Sequence, residues 1–301
     1  MTTAPPDVAR RVNAERLVVL AWPRAILLQL AHPLIAAGVA RHSLAAVALT
    51  KAGSFRGGSG SRREPAANAS SAFARLHHTI DAMLAITFGD ERARTEALDV
   101  IRAIHTRVNG TLAESCGPFE AGTRYSAEDP ALLLWVHATL VESMLLVYDR
   151  LVAPLTARER DAYCEESASA AIELGARDAD VPRTWRALQA YLDREYAADR
   201  IVVCGEARML AGTLMAPWNG AIGRRVITPL RSLWCAGLLP APIRSAYGLH
   251  WTSGRSRAFG VAIRLLHRIR RGLPSALATW RASRHGSARG GAPHVRTAAI
   301  R

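Results

Sequence analysis

Lysine is almost absent from this chain: Lys51 is the only one, so nearly all of the formal charge of +14 is carried by arginine. Arginine enrichment on this scale also follows from codon composition, and it does not by itself define a nucleic-acid protein. No zinc finger, RNP motif or GXXG loop accompanies it, which removes the common nucleic-acid modules. The four cysteines, Cys116, Cys164, Cys204 and Cys235, form no CxxC pair. They resemble neither a zinc site nor a compact disulfide framework, and the expectation is unremarkable or buried thiols in a reducing compartment. Long apolar runs are missing too, since no stretch reaches the roughly 18 uninterrupted residues of a spanning helix. Arg10-Arg11 is followed by an apolar run cut short by Pro23 and Arg24, a poor export signal. Together these features predict a cytoplasmic location. Alternating β-branched runs are also lacking, which excludes an all-β fold.

What the sequence has is apolar mass in helical periods. Half of its 301 residues are hydrophobic, enough for a sizeable core. We read one helical domain over residues 1–281, with a flexible insertion at 51–71 and a basic tail at 282–301. The insertion, KAGSFRGGSGSRREPAANASS, has no apolar period. The tail continues an arginine-rich stretch from Arg264 to Arg301. A solvated, partly disordered tail is the main expectation, and contact with a membrane or nucleic-acid surface is the alternative.

Two helices are expected between Val12 and Thr50, the second starting at Pro33, where the missing N–H costs little. Its segment Leu34-Ile-Ala-Ala-Gly-Val-Ala40 is rich in small residues that admit a close neighbour. Further helices are predicted at 71–88, 91–108, 130–151, 156–174, 183–197, 203–215, 221–236, 240–248 and 255–271. The start at Asp129-Pro130 is the clearest, a side-chain cap followed by proline at the first helical position. That helix is apolar almost all round and must be central.

His137 lies in the middle of it. A lone histidine on an apolar face is ordinarily a satisfied core residue, so context has to carry any further role. The preceding helix supplies some: Arg102, His105, Thr106 and Asn109 fall at i, i+3, i+4 and i+7 on one stripe, with Ala97, Val100, Ile101, Ile104 and Val108 on another. The polar stripe faces either solvent or a pocket beside His137, where arginine stabilises negative charge and histidine and threonine relay protons. Other chemistries lack their residues. There is no HExxH for zinc, no ExxH to turn Glu165-Glu166 into a di-iron site, no G-x-S-x-G elbow and no P-loop. His77-His78 point to different helix faces.

Three blocks then resemble one family: Arg24 to Ser43 (RAILLQLAHPLIAAGVARHS), Thr79 to Gly89 (TIDAMLAITFG) and Tyr125 to Thr139 (YSAEDPALLLWVHAT). Tyr163 to Glu166, Leu174-Gly175, Leu239 to Arg244 and Tyr247 to Trp251 continue the likeness, which covers roughly residues 12–275. The family contains the bacterial latex-clearing rubber oxygenases and the fungal oxygenase of the mycophenolic acid pathway. The resemblance implies an all-α domain enclosing haem b between central helices, and O2-dependent attack on an apolar, isoprenoid or otherwise unsaturated substrate. It also implies that His137 is the iron's proximal ligand, with Arg102 and Thr106 near the open side of the haem. His105 stands where the rubber-cleaving branch carries lysine, which leaves the sixth position open between free, water-filled and held by His105. His32 and His42 fall in a matching block, but their helix-boundary positions favour structural roles. Two other readings stay open: a non-catalytic haem-binding or sensor protein, and a cofactor-free basic helical protein. Oligomeric state and redox partner are not legible.

Neither 51–71 nor the tail after about Arg281 has enough apolar surface to offset the entropy of ordering. Limited proteolysis is expected to nick both and leave a helical core; strong protection of 51–71 would overturn this division of the chain.

Overall fold

The computed structural model of the chain describes residues 7–42, 81–215, 225, 227–281 and 283. The insertion at 51–71, His77-His78 and nearly all of the 282–301 tail lie outside them. In chain order the elements are α1 (Val8–Ala14), a 3-10 segment (Arg16–Ala21), α2 (Trp22–Leu30), α3 (Pro33–His42), α4 (residues 81–88) and α5 (Glu91–His105). A short hairpin of β1 (Asn109–Thr111) and β2 (Arg124–Ser126) precedes α6 (Pro130–Leu151) and α7 (Ala157–Leu174). Then come α8 (Trp185–Ala197), α9 (Gly205–Met215), α10 (Thr228–Leu238), α11 (Ala241–Ala246), α12 (Ser253–Gly272) and α13 (Ser275–Ala278). The fold is all-α with one small sheet.

α6 is the axis. Asp129 accepts a hydrogen bond from the Ala131 amide, Pro130 opens the helix, and side chains are buried on every side, Trp135, Met144, Leu145 and Leu151 among the deepest. By length and hydropathy α6 would suit a bilayer; here two thirds of its apolar window is buried among other helices instead. The 3-10 segment, α2, α7, α8 and α12 all pack on it. The last turn of α2 is locked to α6 by two bonds, Trp135 Nε1 donating to Leu28 O (3.2 Å) and Gln29 Nε2 donating to Val136 O (3.3 Å).

The deepest polar contact joins three elements. Arg24, 2% exposed, donates from Nε to Leu238 O (2.9 Å), from Nη1 to Ser143 Oγ (2.6 Å) and from Nη2 to Glu142 Oε1 (2.8 Å), and Nη1 meets the other carboxylate oxygen of Glu142. Ser143 Oγ donates in turn to Thr139 O (2.6 Å). A guanidinium with all of these partners satisfied is tolerated in a core; one without them is not.

Several details depart from the sequence reading. The helix expected to run through residues 12–30 is broken at Glu15, whose backbone is extended and whose buried carboxylate accepts from Arg270 Nε (2.7 Å). The chain leaves the helix there to bring a charge inward to a partner 255 residues away in sequence. The helix predicted to 108 ends at His105 and gives way to the hairpin, in register Asn109↔Ser126, Gly110↔Tyr125 and Thr111↔Arg124. Gly110 is required in that register, because a Cβ there would lie 2.7 Å from the Tyr125 hydroxyl. The expectation of four free thiols is corrected. Cys164 and Cys235 are free and buried, but Cys116 and Cys204 form a disulfide between the loop inside the hairpin and the start of α9. Their 88-residue separation carries no local signal, so only the tertiary fold reveals it. Glu165 and Glu166 are structural: Glu165 pairs with Arg183, and Glu166 accepts from the Val8 and Ala9 amides at the start of α1.

Glu142→Leu is expected to strand the Arg24 charge and cost about 3–5 kcal/mol, while Arg24→Met with Glu142→Leu costs far less than the two single changes added. Urea titration of the four proteins in the cycle measures this. Additive losses would show that the pair is not coupled.

Candidate functional site

His137 sits two turns into α6 and three residues after Leu134. Burial removes its imidazole from water and pushes its pKa down to about 4, so the ring is neutral near pH 7 and carries a free lone pair. It still retains some accessible area despite that desolvation. No hydrogen bond to either ring nitrogen forms among the described residues. The backbone around the ring is held by two contacts that the sequence reading did not single out, those of Gln29 and Trp135 with α2 and α6. The signal for Gln29 was present as one amide side chain in an otherwise apolar run.

The residues proposed beside His137 sit on α5, whose main partner is α7. Arg102 is exposed. Its Nε donates to Glu173 O (3.0 Å), one of the last carbonyls of α7, and its Nη1 donates to Asp99 Oδ1 (2.7 Å). Arg94 reinforces that docking through Glu173 Oε1 (2.6 Å) and Ile86 O (3.0 Å). Thr106 is exposed and donates to Ala103 O (3.1 Å). His105 is half-buried; its Nδ1 is sealed from solvent without a partner, and burial lowers its pKa against the opposing pull of Glu128. No hydrogen bond joins any of the three to His137 among the described residues. The second stripe of α5 also reaches the surface at Val100 and Ile104, while the helix buries Ala93 and Leu98. The helix thus presents polar and apolar strips outward together, which periodicity alone could not orient.

His32 and His42 take helix-boundary places as expected, His32 between α2 and α3 and His42 at the end of α3. A cleft of about 540 Å³ opens beside His32, Phe119, Trp135 and Tyr191. His137 is not among the residues that line it, although Leu134 and Trp135 of the same helix are. The His32 ring lies 5.2 Å from that of Phe119, in the loop tethered by the disulfide.

Metal donors can be weighed from this set. Among the described residues no three His, Cys, Asp or Glu side chains cluster to hold a bare ion. One neutral, unpartnered imidazole on a central helix suits a metal whose other donors come from a macrocycle, as the proximal histidine of a haem does. The residues fit that group.

A helical domain with several desolvated histidines, His32, His105 and His137, the last on its central helix, is the class that fold and site define. The family comparison makes it specific: residues 9–270 match the model of the catalytic domain of the ER-bound oxygenase mpaB/B'/rubber oxygenase family, and the chain belongs to that family. No curated protein and no solved structure gives a significant match.

Burial also pushes the His32 pKa down to about 4, with Arg200 lowering it further and Glu195 and Asp129 opposing. The unfolded chain takes up this proton near pH 6.5 and the folded chain only near 4, so between them the unfolded state binds more protons and stability falls as pH drops. Stability measured by urea titration between pH 7 and 4 is expected to decline less steeply in His32→Gln than in the wild type. Equal slopes would show that this ring does not contribute.

Proposed function

We propose that this member of an oxygenase family is a haem b-dependent oxygenase that uses O2 on a small apolar, unsaturated molecule, with isoprenoids as the candidate class. The observation that carries the reading is His137: a neutral imidazole, desolvated, central and committed to no other partner. His137 would hold the iron. The bound haem would supply the O2 chemistry, which no side chain of this protein can supply alone.

The protein's part is position, field and exclusion of water. α6 is held at Val136 by Gln29 and at Trp135 by the Leu28 carbonyl, so the ring adjacent to them cannot drift along the helix axis. We assign Arg102, His105 and Thr106 to the side where O2 reacts, an assignment that rests on the family resemblance. The Glu173 carbonyl and Asp99 hold the Arg102 guanidinium, so its positive charge is fixed in advance of any negative charge developing nearby. His105 Nδ1, buried and unpartnered, is free to hold or pass a proton. Thr106 already donates its hydroxyl proton to Ala103 and so offers lone pairs. The same orphaned His105 nitrogen favours one rival, a non-catalytic haem protein in which His105 as well as His137 would hold the iron.

His137→Ala is expected to lose the haem Soret band, whereas Arg102→Ala keeps it and slows substrate-dependent O2 uptake by about 10²–10³ with little change in KM. Haem retained with an unaltered spectrum in His137→Ala would sink the ligand assignment. A ferrous protein that stays six-coordinate, binds no CO and transfers no 18O to any alkene would establish the rival.

A further inference from the structure

α12 combines an anchored face with an unpartnered one. Inward, Phe259 packs between Trp234 (centroids 5.6 Å apart) and Trp251 (5.9 Å), and its ring lies so close to Gly237 that a Cβ there would be 2.5 Å away. Arg270 holds Glu15, and Arg255 Nη2 donates to Ser232 Oγ (2.9 Å). These contacts, spread over four turns, fix the rotation of the helix about its axis.

The outward face is therefore set. With about 3.6 residues per turn, Arg257, Arg264, Arg268 and Arg271 fall on one strip, and Ala258, Val261, Leu265 and Ile269 on the strip beside it. All eight residues are exposed; Val261 is 55%, Leu265 56% and Ile269 49% accessible. None of the four guanidiniums meets a carboxylate among the described residues, although eleven other arginine–carboxylate pairs form, Arg24 with Glu142 among them.

We propose that the outer face of α12 is a peripheral docking surface for an anionic lipid membrane. An apolar strip flanked by unneutralised arginines is the arrangement of a helix lying in the plane of a membrane interface, its aliphatic side chains entering the acyl boundary and its guanidiniums meeting phosphate headgroups. Charge decides against the nearest alternatives. A second copy of the chain placed symmetrically on this face would bring eight unpaired arginines together. A nucleic acid would satisfy the arginines but leave three large aliphatic side chains unused. The inference stands independently of the haem reading, since no residue of α12 belongs to that site.

The test uses the full-length protein in vesicle co-sedimentation, comparing phosphatidylcholine vesicles with vesicles containing phosphatidylglycerol. The tail is kept in every variant, so its own charge cancels from the comparison. Binding is expected on the anionic vesicles only, weakening as salt rises. Arg264→Gln with Arg268→Gln should reduce partitioning about tenfold to thirtyfold, on the order of fivefold per arginine at an anionic surface. Val261→Ser with Leu265→Ser should also weaken it at least tenfold while leaving the circular dichroism and Tm unchanged, because both side chains are already in water. The proposal is overturned if the protein binds neither vesicle or both equally, or if the serine variant partitions as well as the wild type. It is overturned in favour of nucleic acid if duplex DNA binds tightly and only the arginine changes matter. Concentration-dependent dimerisation abolished by Leu265→Ser would assign the face to a second copy instead.

Discussion

The structure depends on a charge that the core should not tolerate. Arg24 is nearly inaccessible, and the free energy of stripping its guanidinium of water is repaid only if every donor finds an acceptor. Those acceptors come from α6 and from the last turn of α10, so the ion pair forms only when α2, α6 and α10 have reached one arrangement. Apolar packing would accept several sliding registers of α2 along an all-round apolar helix. The Arg24–Glu142–Ser143 contact accepts one, and the Ser143 and Thr139 hydroxyls spend their protons on α6 carbonyls along the same stretch. This network begins two residues after His137 and ends within two turns of it. The placement of the imidazole relative to α2 is thus fixed by polar geometry and filled in by hydrophobic burial.

The same reasoning explains which parts of the molecule could be read from the chain. Pro130 and Asp129 announce the start of α6 through local chemistry, and its apolar surface announces burial; both appear where expected, as do α7, α8 and α12 to within two residues or so. These are properties of a helix and its own side chains. Glu15 is different, because its backbone bends to serve Arg270 at the far end of the chain. The Cys116–Cys204 bond and the hairpin that carries Cys116 are likewise products of long-range assembly. The candidate site divides along the same line. His137 is legible as a histidine in a core helix. The direction in which the Arg102 stripe faces depends on how α5 rotates when Arg94 and Arg102 grip α7, and that rotation has no local signature.

For Arg102, the proposed chemical role and the observed structural contact are compatible. An arginine bound to the end of a neighbouring helix satisfies carbonyls that would otherwise lack donors, and in doing so it becomes a rigid charge. Electrostatic stabilisation requires this kind of preorganisation, since a freely rotating guanidinium would lose in reorganisation what it gained in attraction. The neutral state of His137 is the counterpart. The burial that pushes its pKa down to about 4 keeps its ring neutral over the whole physiological range.

α12 packs directly on α6 through its inward face. A membrane held against its outer strip would therefore lie a single helix away from the element that bears His137. An apolar substrate concentrates in lipid and is scarce in water, so an enzyme that meets it at the lipid surface avoids the cost of extracting it into solution first. For that arrangement the basic charge has to be local rather than merely abundant. Elsewhere on the surface, guanidiniums such as those of Arg183 and Arg200 are neutralised by neighbouring carboxylates. On α12 a row of four is left without acidic partners among the described residues and lies beside an aliphatic strip. The uneven pairing of arginine, more than the total charge of the chain, is what gives this face its preference for an anionic, apolar interface.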